Sequence, residues 1–183
     1  MINIKQTPII ENIPSWELEI TDLPDRLFFV DLFKNESSNK KPSRTFYSGD
    51  NEDIDNIKNE LNYKNLLPIL NELFKNNKEI VKTDIFDNNK IEIQTYVVRD
   101  DPKYNLIPHY DNNFIFGIMM INLTDNISST MLYNENNEIN YITKNKKGDG
   151  ILYLNDIKTK HGFYNEDNDF RYAIMVSINL NKI

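Results

Sequence analysis

The sequence predicts a mainly β protein with helices near its N-terminus, arranged as a jelly roll or another two-sheet barrel of the cupin type. Two observations predict it. From residue 90 onward, eight or so short segments rich in Ile, Tyr, Val and Phe are separated by Asn, Asp and Gly turns at hairpin spacing. Before them, apolar residues recur at helical spacing, first Ile54, Ile57 and Leu61, then Leu66, Leu70, Leu73 and Phe74.

Taken in order, residues 16–20 (WELEI) and 27–33 (LFFVDLF) read as short strands or buried segments, and 34–41 as a polar loop. The SGDNED turn leads into the two helices, which break near Asn62, and Pro68 suits the first turn of the second. Each helix has one apolar stripe and so needs a larger partner. The strand segments 90–98, 107–111, 114–123, 130–133, 139–143, 150–154, 162–164 and 170–180 supply it. No internal repeat and no dividing linker interrupts the chain, so a single domain over residues 1–183 is expected. Within it, 1–89 form a mixed α/β covering segment and 90–183 the β core.

Composition narrows the function classes. The charged fraction is 27% and the hydrophobic fraction 39%, slightly polar for a globular protein and well short of disorder. There is no cysteine, which excludes disulfides and thiolate metal sites. The longest apolar run, 114–121 (FIFGIMMI), is strand-sized, so no membrane span is expected. The opening MINIKQTPIIENIP lacks the apolar core and cleavage site of a signal peptide, and a cytoplasmic location is expected. A net charge of −7 disfavours a nucleic-acid partner, and Lys144, Lys146 and Lys147 read as a solvated turn.

The chemistry concentrates on the two histidines of the chain, His109 and His161. His109 sits in IPHYD, and side chains at i and i+2 of a strand share a face, so His109 and Asp111 project together. His161, in KTKHGFY, is the one other imidazole available as a third ligand. Two histidines and a carboxylate on one face of an ion make the facial triad of non-haem iron(II) oxygenases. Each piece alone is also what an ordinary core or surface histidine looks like.

Arg171 adds a second element. If Phe163 pairs with Arg171 across a hairpin centred on Asp167, His161 faces Ala173, and Arg171 is its diagonal neighbour about 7–8 Å away. An inward guanidinium there can grip the far carboxylate of a short diacid with two hydrogen bonds. A register slip of one residue would turn Arg171 outward, to pair with Glu166 or Asp169.

Together, H-Y-D at 109–111, G-D-G-I-L-Y-L at 148–154, H-G-F at 161–163 and R-Y-A-I at 171–174 resemble the 2-oxoglutarate/iron(II)-dependent dioxygenase superfamily. The resemblance covers residue 90 to the C-terminus, about half the chain. It implies a double-stranded β-helix closed around iron(II) held by His109, Asp111 and His161, with Arg171 on the far carboxylate of 2-oxoglutarate. Family members often place a tyrosine of the preceding strand against 2-oxoglutarate, and Tyr96 and Tyr104 are both candidates for that place. The prolyl-hydroxylase-like branch commonly has Lys where this chain has Arg171, and the Arg-x-Ser arrangement of another branch reads Arg171-Tyr172-Ala173 here. Halogenating members lack the carboxylate that Asp111 supplies, so the resemblance implies hydroxylation.

The implied activity is oxidative decarboxylation of 2-oxoglutarate to succinate and carbon dioxide, coupled to hydroxylation of a C–H bond, with ascorbate a candidate reductant. Residues 42–50 (PSRTFYSGD) offer either a substrate wall, through Arg44 and Tyr47, or a plain connecting loop. A small molecule such as a free amino acid is the expected substrate. The alternatives are a peptidyl side-chain hydroxylase and a non-catalytic cupin-like metal or small-molecule binding protein.

Overall fold

Most strands from residue 89 onward bury apolar side chains, and the fold does this with two sheets laid face to face. The computed structural model describes residues 2–4, 14–21, 23–36, 41–49, 51–59, 66–81, 89–111, 115–125, 128–155 and 159–182. The core strands are β4 (Asn89–Asp100), β5 (Asn105–His109), β6 (Gly117–Asn122), β7 (Thr130–Tyr133), β8 (Ile139–Ile142), β9 (Asp149–Leu154), β10 (Lys160–Tyr164) and β11 (Arg171–Lys182). Before them come β1 (Ile2–Ile4), β2 (Ser15–Ile20), α1 (Arg26–Leu32), β3 (Arg44–Phe46), α2 (Glu52–Asn59), α3 (Leu67–Asn76) and α4 (Lys78–Val81).

The larger sheet runs β1-β2-β9-β6-β11-β4-β3 and the smaller β5-β10-β7-β8. All pairings are antiparallel. Apart from the paired β7 and β8, successive core strands cross between the sheets, which is the winding of a double-stranded β-helix, a cupin-like jelly roll. Each predicted core segment is a strand, with ends shifted by a few residues. Three strands of the N-terminal third extend the larger sheet, β1 and β2 at one edge and β3 at the other.

The larger sheet is buried on both faces. Its outer face packs Met119, Ile121, Leu152, Ile174, Val176 and Trp16 against Phe29 and Phe33 and against Ile54, Leu70, Leu73 and Phe74 of the helices. Its inner face contributes Val98, Ile118, Met120, Ile151, Tyr153 and Ala173 to a second cluster that Leu132 of the smaller sheet completes. β6 is buried at every position, which is why it reads as a continuous apolar run rather than an alternation. The turn into β9 depends on Gly148, with φ +86°, where a Cβ would lie 2.1 Å from the Ile20 carbonyl oxygen.

One segment differs from the expectation. Residues 27–33 are not a strand; α1 covers most of them, with Phe29 and Phe33 buried one turn apart while Leu27 is 71% exposed. The Asp25 side chain accepts from the Phe28 backbone N–H at 3.1 Å, capping the helix. An apolar run this dense hides its period, and the cap two residues before it decides the outcome. Helices α2 and α3 follow the predicted stripes through Ile54, Leu66, Leu70, Leu73 and Phe74, whereas Leu61 and Asn62 lie outside the described residues. No described helix is long and apolar enough to cross a membrane.

Phe74 meets Trp16 edge-on at 6.2 Å and Phe116 at 5.3 Å, with no exposed surface of its own. Phe74→Ala should lower the unfolding free energy by about 3–5 kcal/mol. A shift of the urea midpoint at unchanged slope measures it, and a loss below 1 kcal/mol would mean the helices add little to the sheet.

Candidate active site

His109 ends β5 and pairs directly with His161 of β10. Farther along the same pair, Phe163 meets Leu106, so three residues of β5 span what two of β10 do. This bulge falls at Ile107 and Pro108. It turns Ile107 out to solvent (67% exposed), while Leu106 and His109 both line the interior cavity. Pro108 has no N–H to forfeit at such a site, and Gly162 leaves room for it, since a Cβ there would lie 2.9 Å from the Leu106 carbonyl oxygen.

The three ligand candidates converge. One potential donor atom from each of His109, Asp111 and His161 lies within 4.8 Å of the others. His109 Nε2 is 3.9 Å from Asp111 Oδ1, and His161 Nε2 is 3.8 Å from Asp111 Oδ2. Neighbouring ligands about 2.1 Å from one ion sit roughly 3 Å apart, so a small inward movement of the half-exposed Asp111 and His109 closes the set. His109 Nδ1 lies 2.9 Å from the Ile107 carbonyl, which selects the tautomer with the proton there and leaves the Nε2 lone pair facing Asp111.

His161 carries the clearest mark of a ligand. Its ring is buried, Nε2 faces Asp111 from beyond hydrogen-bond range, and Nδ1 has no partner among the described residues. The Nε2 lone pair is therefore free to take a metal, with the proton on Nδ1. Burial, then the neighbouring His109, then Arg44 lower its pKa to about 3, so the ring is neutral, the form that binds a metal. The donor set, two neutral nitrogens and a carboxylate, fits iron(II).

The cavity behind the triad measures about 390 Å³. Leu106, Ile118, Met120, Phe163 and Met175 make it apolar, and Arg44, Tyr104 and Thr130 bring polar groups to its wall. Arg171 comes from the other sheet and is fully buried. The hairpin expected between Phe163 and Arg171 does not form: β10 pairs with β5 and β7, β11 with β4 and β6. Arg171 still points between the sheets, because it shares parity with the inward Ala173. Its guanidinium stacks over the Phe163 ring at 4.0 Å and donates to Asp100 Oδ2, Asn122 Oδ1 and Thr130 Oγ1. Asp169, the surface alternative, pairs with Arg26 instead.

Of the two tyrosines, Tyr104 lines the cavity, with the Arg44 guanidinium 5.8 Å from its ring centre. Tyr96 does not line it; its hydroxyl donates to Gln94 Oε1 at 2.9 Å, and its ring meets Phe46.

Three residues of the site escaped sequence reasoning. Asp100 is fully buried and is the cross-strand partner of both Arg44 and Arg171. Its parity with the inward Val98 was a usable signal, hidden because Arg-Asp-Asp-Pro looks like a turn. Asn155 clamps the chain at Asp111: its side chain donates to the carbonyls of Asp111 (2.6 Å) and Ile115 (3.1 Å) and accepts from the Asp111 N–H. Tyr153 is buried with its hydroxyl unpartnered among the described residues, and burial and the Asp111 charge push its pKa well up.

No protein-family model matches the sequence, and no curated protein does. Solved structures do. A Pseudomonas putida prolyl-4-hydroxylase aligns with a TM-score of 0.58 at 10% identity, over 91% of this chain and 92% of its own. A 2OG-Fe(II) oxygenase family protein from Burkholderia pseudomallei aligns with a TM-score of 0.55 at 12% identity, over 91% and 68%. The chain has the fold of the 2-oxoglutarate/iron(II) oxygenases. A Trichoplax adhaerens prolyl hydroxylase, solved with a hypoxia inducible factor peptide fragment, aligns with a TM-score of 0.50 at 17% identity, over 80% and 67%. At such identities the likeness is one of fold, and chemistry has to be argued from the site.

The neutral burial of His161 has a consequence for the metal-free protein. In the unfolded chain the ring titrates near 6.5, in the folded chain near 3, so between these values the unfolded state binds more protons. The contribution is complete above pH 6.5 and is lost as pH falls toward 3. Urea denaturation of metal-free protein should show wild type losing stability through this window more steeply than His161→Leu. Parallel curves would place the ring in solvent.

Proposed function

We propose that the protein is an iron(II)- and 2-oxoglutarate-dependent oxygenase that hydroxylates a C–H bond of a small molecule such as a free amino acid. The observation that carries this is the convergence of His109, Asp111 and His161 at one cavity, with a cluster of two arginines in its wall and just behind it. Iron(II) and 2-oxoglutarate held there would supply oxidative decarboxylation by dioxygen, one oxygen atom going into succinate as carbon dioxide leaves and the other into the substrate C–H bond.

The chain's own residues set the stage. His109 and His161 offer neutral nitrogens and Asp111 a carboxylate, leaving one side of the ion open to the cavity. Arg171 stands against Thr130 and Phe163, both cavity residues, and provides positive charge for the far carboxylate of the co-substrate. Tyr104, which lines the cavity, is our candidate for the tyrosine contact to it, in preference to Tyr96, which does not. The apolar Ile118, Met120 and Met175 exclude water from the reacting centre. A cavity of about 390 Å³ suits co-substrate and a small substrate side by side.

A peptide side chain is the second reading. Phe46 at the cavity wall is 46% exposed, and Ile107 and Tyr110 beside the triad are exposed too, which gives an extended chain apolar surface to lie on. The peptide-bound Trichoplax adhaerens enzyme shares the fold. A non-catalytic binding protein is separated from both readings by iron-dependent succinate formation. A screen of free amino acids and peptides, supplied with iron(II), 2-oxoglutarate and ascorbate, should show succinate release and a substrate mass gain of one oxygen.

Without oxygen, iron(II) and 2-oxoglutarate together should give the weak visible charge-transfer band of a chelated keto acid, and His109→Ala or His161→Ala should abolish it. Retention of full metal binding and of the band by both variants would remove the triad assignment.

Arg171→Ala should weaken 2-oxoglutarate binding by about one to two decades, roughly 1.5–3 kcal/mol, while largely sparing the metal. Isothermal titration of metal-loaded protein reads it, and an unchanged affinity would remove Arg171 from co-substrate binding.

A further inference from the structure

The two arginines around Asp100 are not equivalent. A guanidinium has five N–H donors. Arg171 has four commitments: Nε to Asn122, Nη2 to Asn122 and Thr130, Nη1 to Asp100. Arg44 gives Nε and Nη2 to the two oxygens of Asp100, at 2.6 and 3.0 Å, and makes no other hydrogen bond among the described residues. Three donors therefore remain on Arg44, including both on Nη1, and they form the end-on fork that matches a carboxylate. Arg44 also lines the cavity of the triad, whereas Arg171 lies behind its wall.

Charge points the same way. Two guanidinium groups share one fully buried carboxylate, so the cluster carries one uncompensated positive charge. The group that balances it is a single carboxylate. The Tyr153 hydroxyl is buried and has no partner among the described residues, and the charges of Asp111 and Arg44 both act on it.

We propose that Arg44, from the N-terminal edge strand β3, makes the two-bond grip on the far carboxylate of the co-substrate, with Arg171 adding charge from behind. Asp100 then acts as a positioning residue that holds the Arg44 fork open toward the cavity. This assignment rests on the oxygenase reading above and places the specificity for a five-carbon diacid in the segment before the β core.

The test compares two keto acids that chelate metal identically. 2-Oxoglutarate has the far carboxylate and 2-oxobutyrate lacks it. Iron(II)-loaded protein is titrated with each without oxygen, following the charge-transfer band. Arg44→Ala should weaken 2-oxoglutarate about ten- to a hundredfold, with 2-oxobutyrate and iron affinity unchanged. Arg44→Lys keeps the charge beside Asp100, and so the fold, but loses the fork; it should weaken 2-oxoglutarate alone, by less than Ala does. Wild-type affinity for 2-oxoglutarate in Arg44→Lys and in folded Arg44→Ala overturns the proposal. Equal losses for both keto acids overturn it too, because they would mark a structural role. A wild type that gives no band with either acid instead brings down the oxygenase reading itself.

Discussion

One buried carboxylate organises the working end of this barrel. Asp100 has no exposed surface and sits on a rung of the larger sheet with Arg44 on one side and Arg171 on the other. Those three residues come from an early edge strand, the first core strand and the last strand. Removing a partner from a buried ion pair typically costs 3–5 kcal/mol, because the remaining charge is left in low dielectric. The rung therefore penalises a register slip: moving β3 or β11 by one residue would turn one of its two arginines away from Asp100. Burial lowers the pKa of Arg171 to about 10, with Arg44 adding to the effect and Asp100 opposing it, so the guanidinium stays charged near neutrality.

The smaller sheet meets a different constraint, which is to bring two histidines of adjacent strands to one point. His109 and His161 are directly paired, with ring centres 4.2 Å apart. Regular alternation along β5 could not aim both Leu106 and His109 inward, since they are three residues apart; the bulge supplies the odd residue. Beyond the strand end, Asn155 replaces the lost ladder with its own hydrogen bonds to the Asp111 backbone. The Asp111 backbone is thus held from β9's end rather than by its own strand.

Two buried polar atoms at the site, His161 Nδ1 and the Tyr153 hydroxyl, have no partner among the described residues, and their rings are 5.3 Å apart. They share this with groups far from the site, Trp16 Nε1 and Arg99 Nε among them. Other buried side chains are well satisfied, as where Asn165 donates to the carbonyls of Asp100, Asp101 and Asp169 and accepts from Ser128.

The core strands were legible because each is a local pattern: β-branched and aromatic residues bounded by turn formers, as in 130–133 and 150–154. The parity of His109 with Asp111, and of Arg171 with Ala173, is equally local, and it held although the hairpin imagined for β10 and β11 does not exist. Both faces involved line the same interior, so the inward direction survived a wrong pairing. Tertiary structure decided what local pattern cannot encode, namely which strands are neighbours. Arg44 and Asp100 are 56 residues apart in sequence and meet only because β3 joins the edge of β4. Asn155 reaches Asp111 across 44 residues for the same kind of reason. Period reports which face a side chain is on, whereas the identity of the opposing side chain depends on long-range pairing, set by the burial of the whole sheet and by the cost of leaving a charge like Asp100 unpaired.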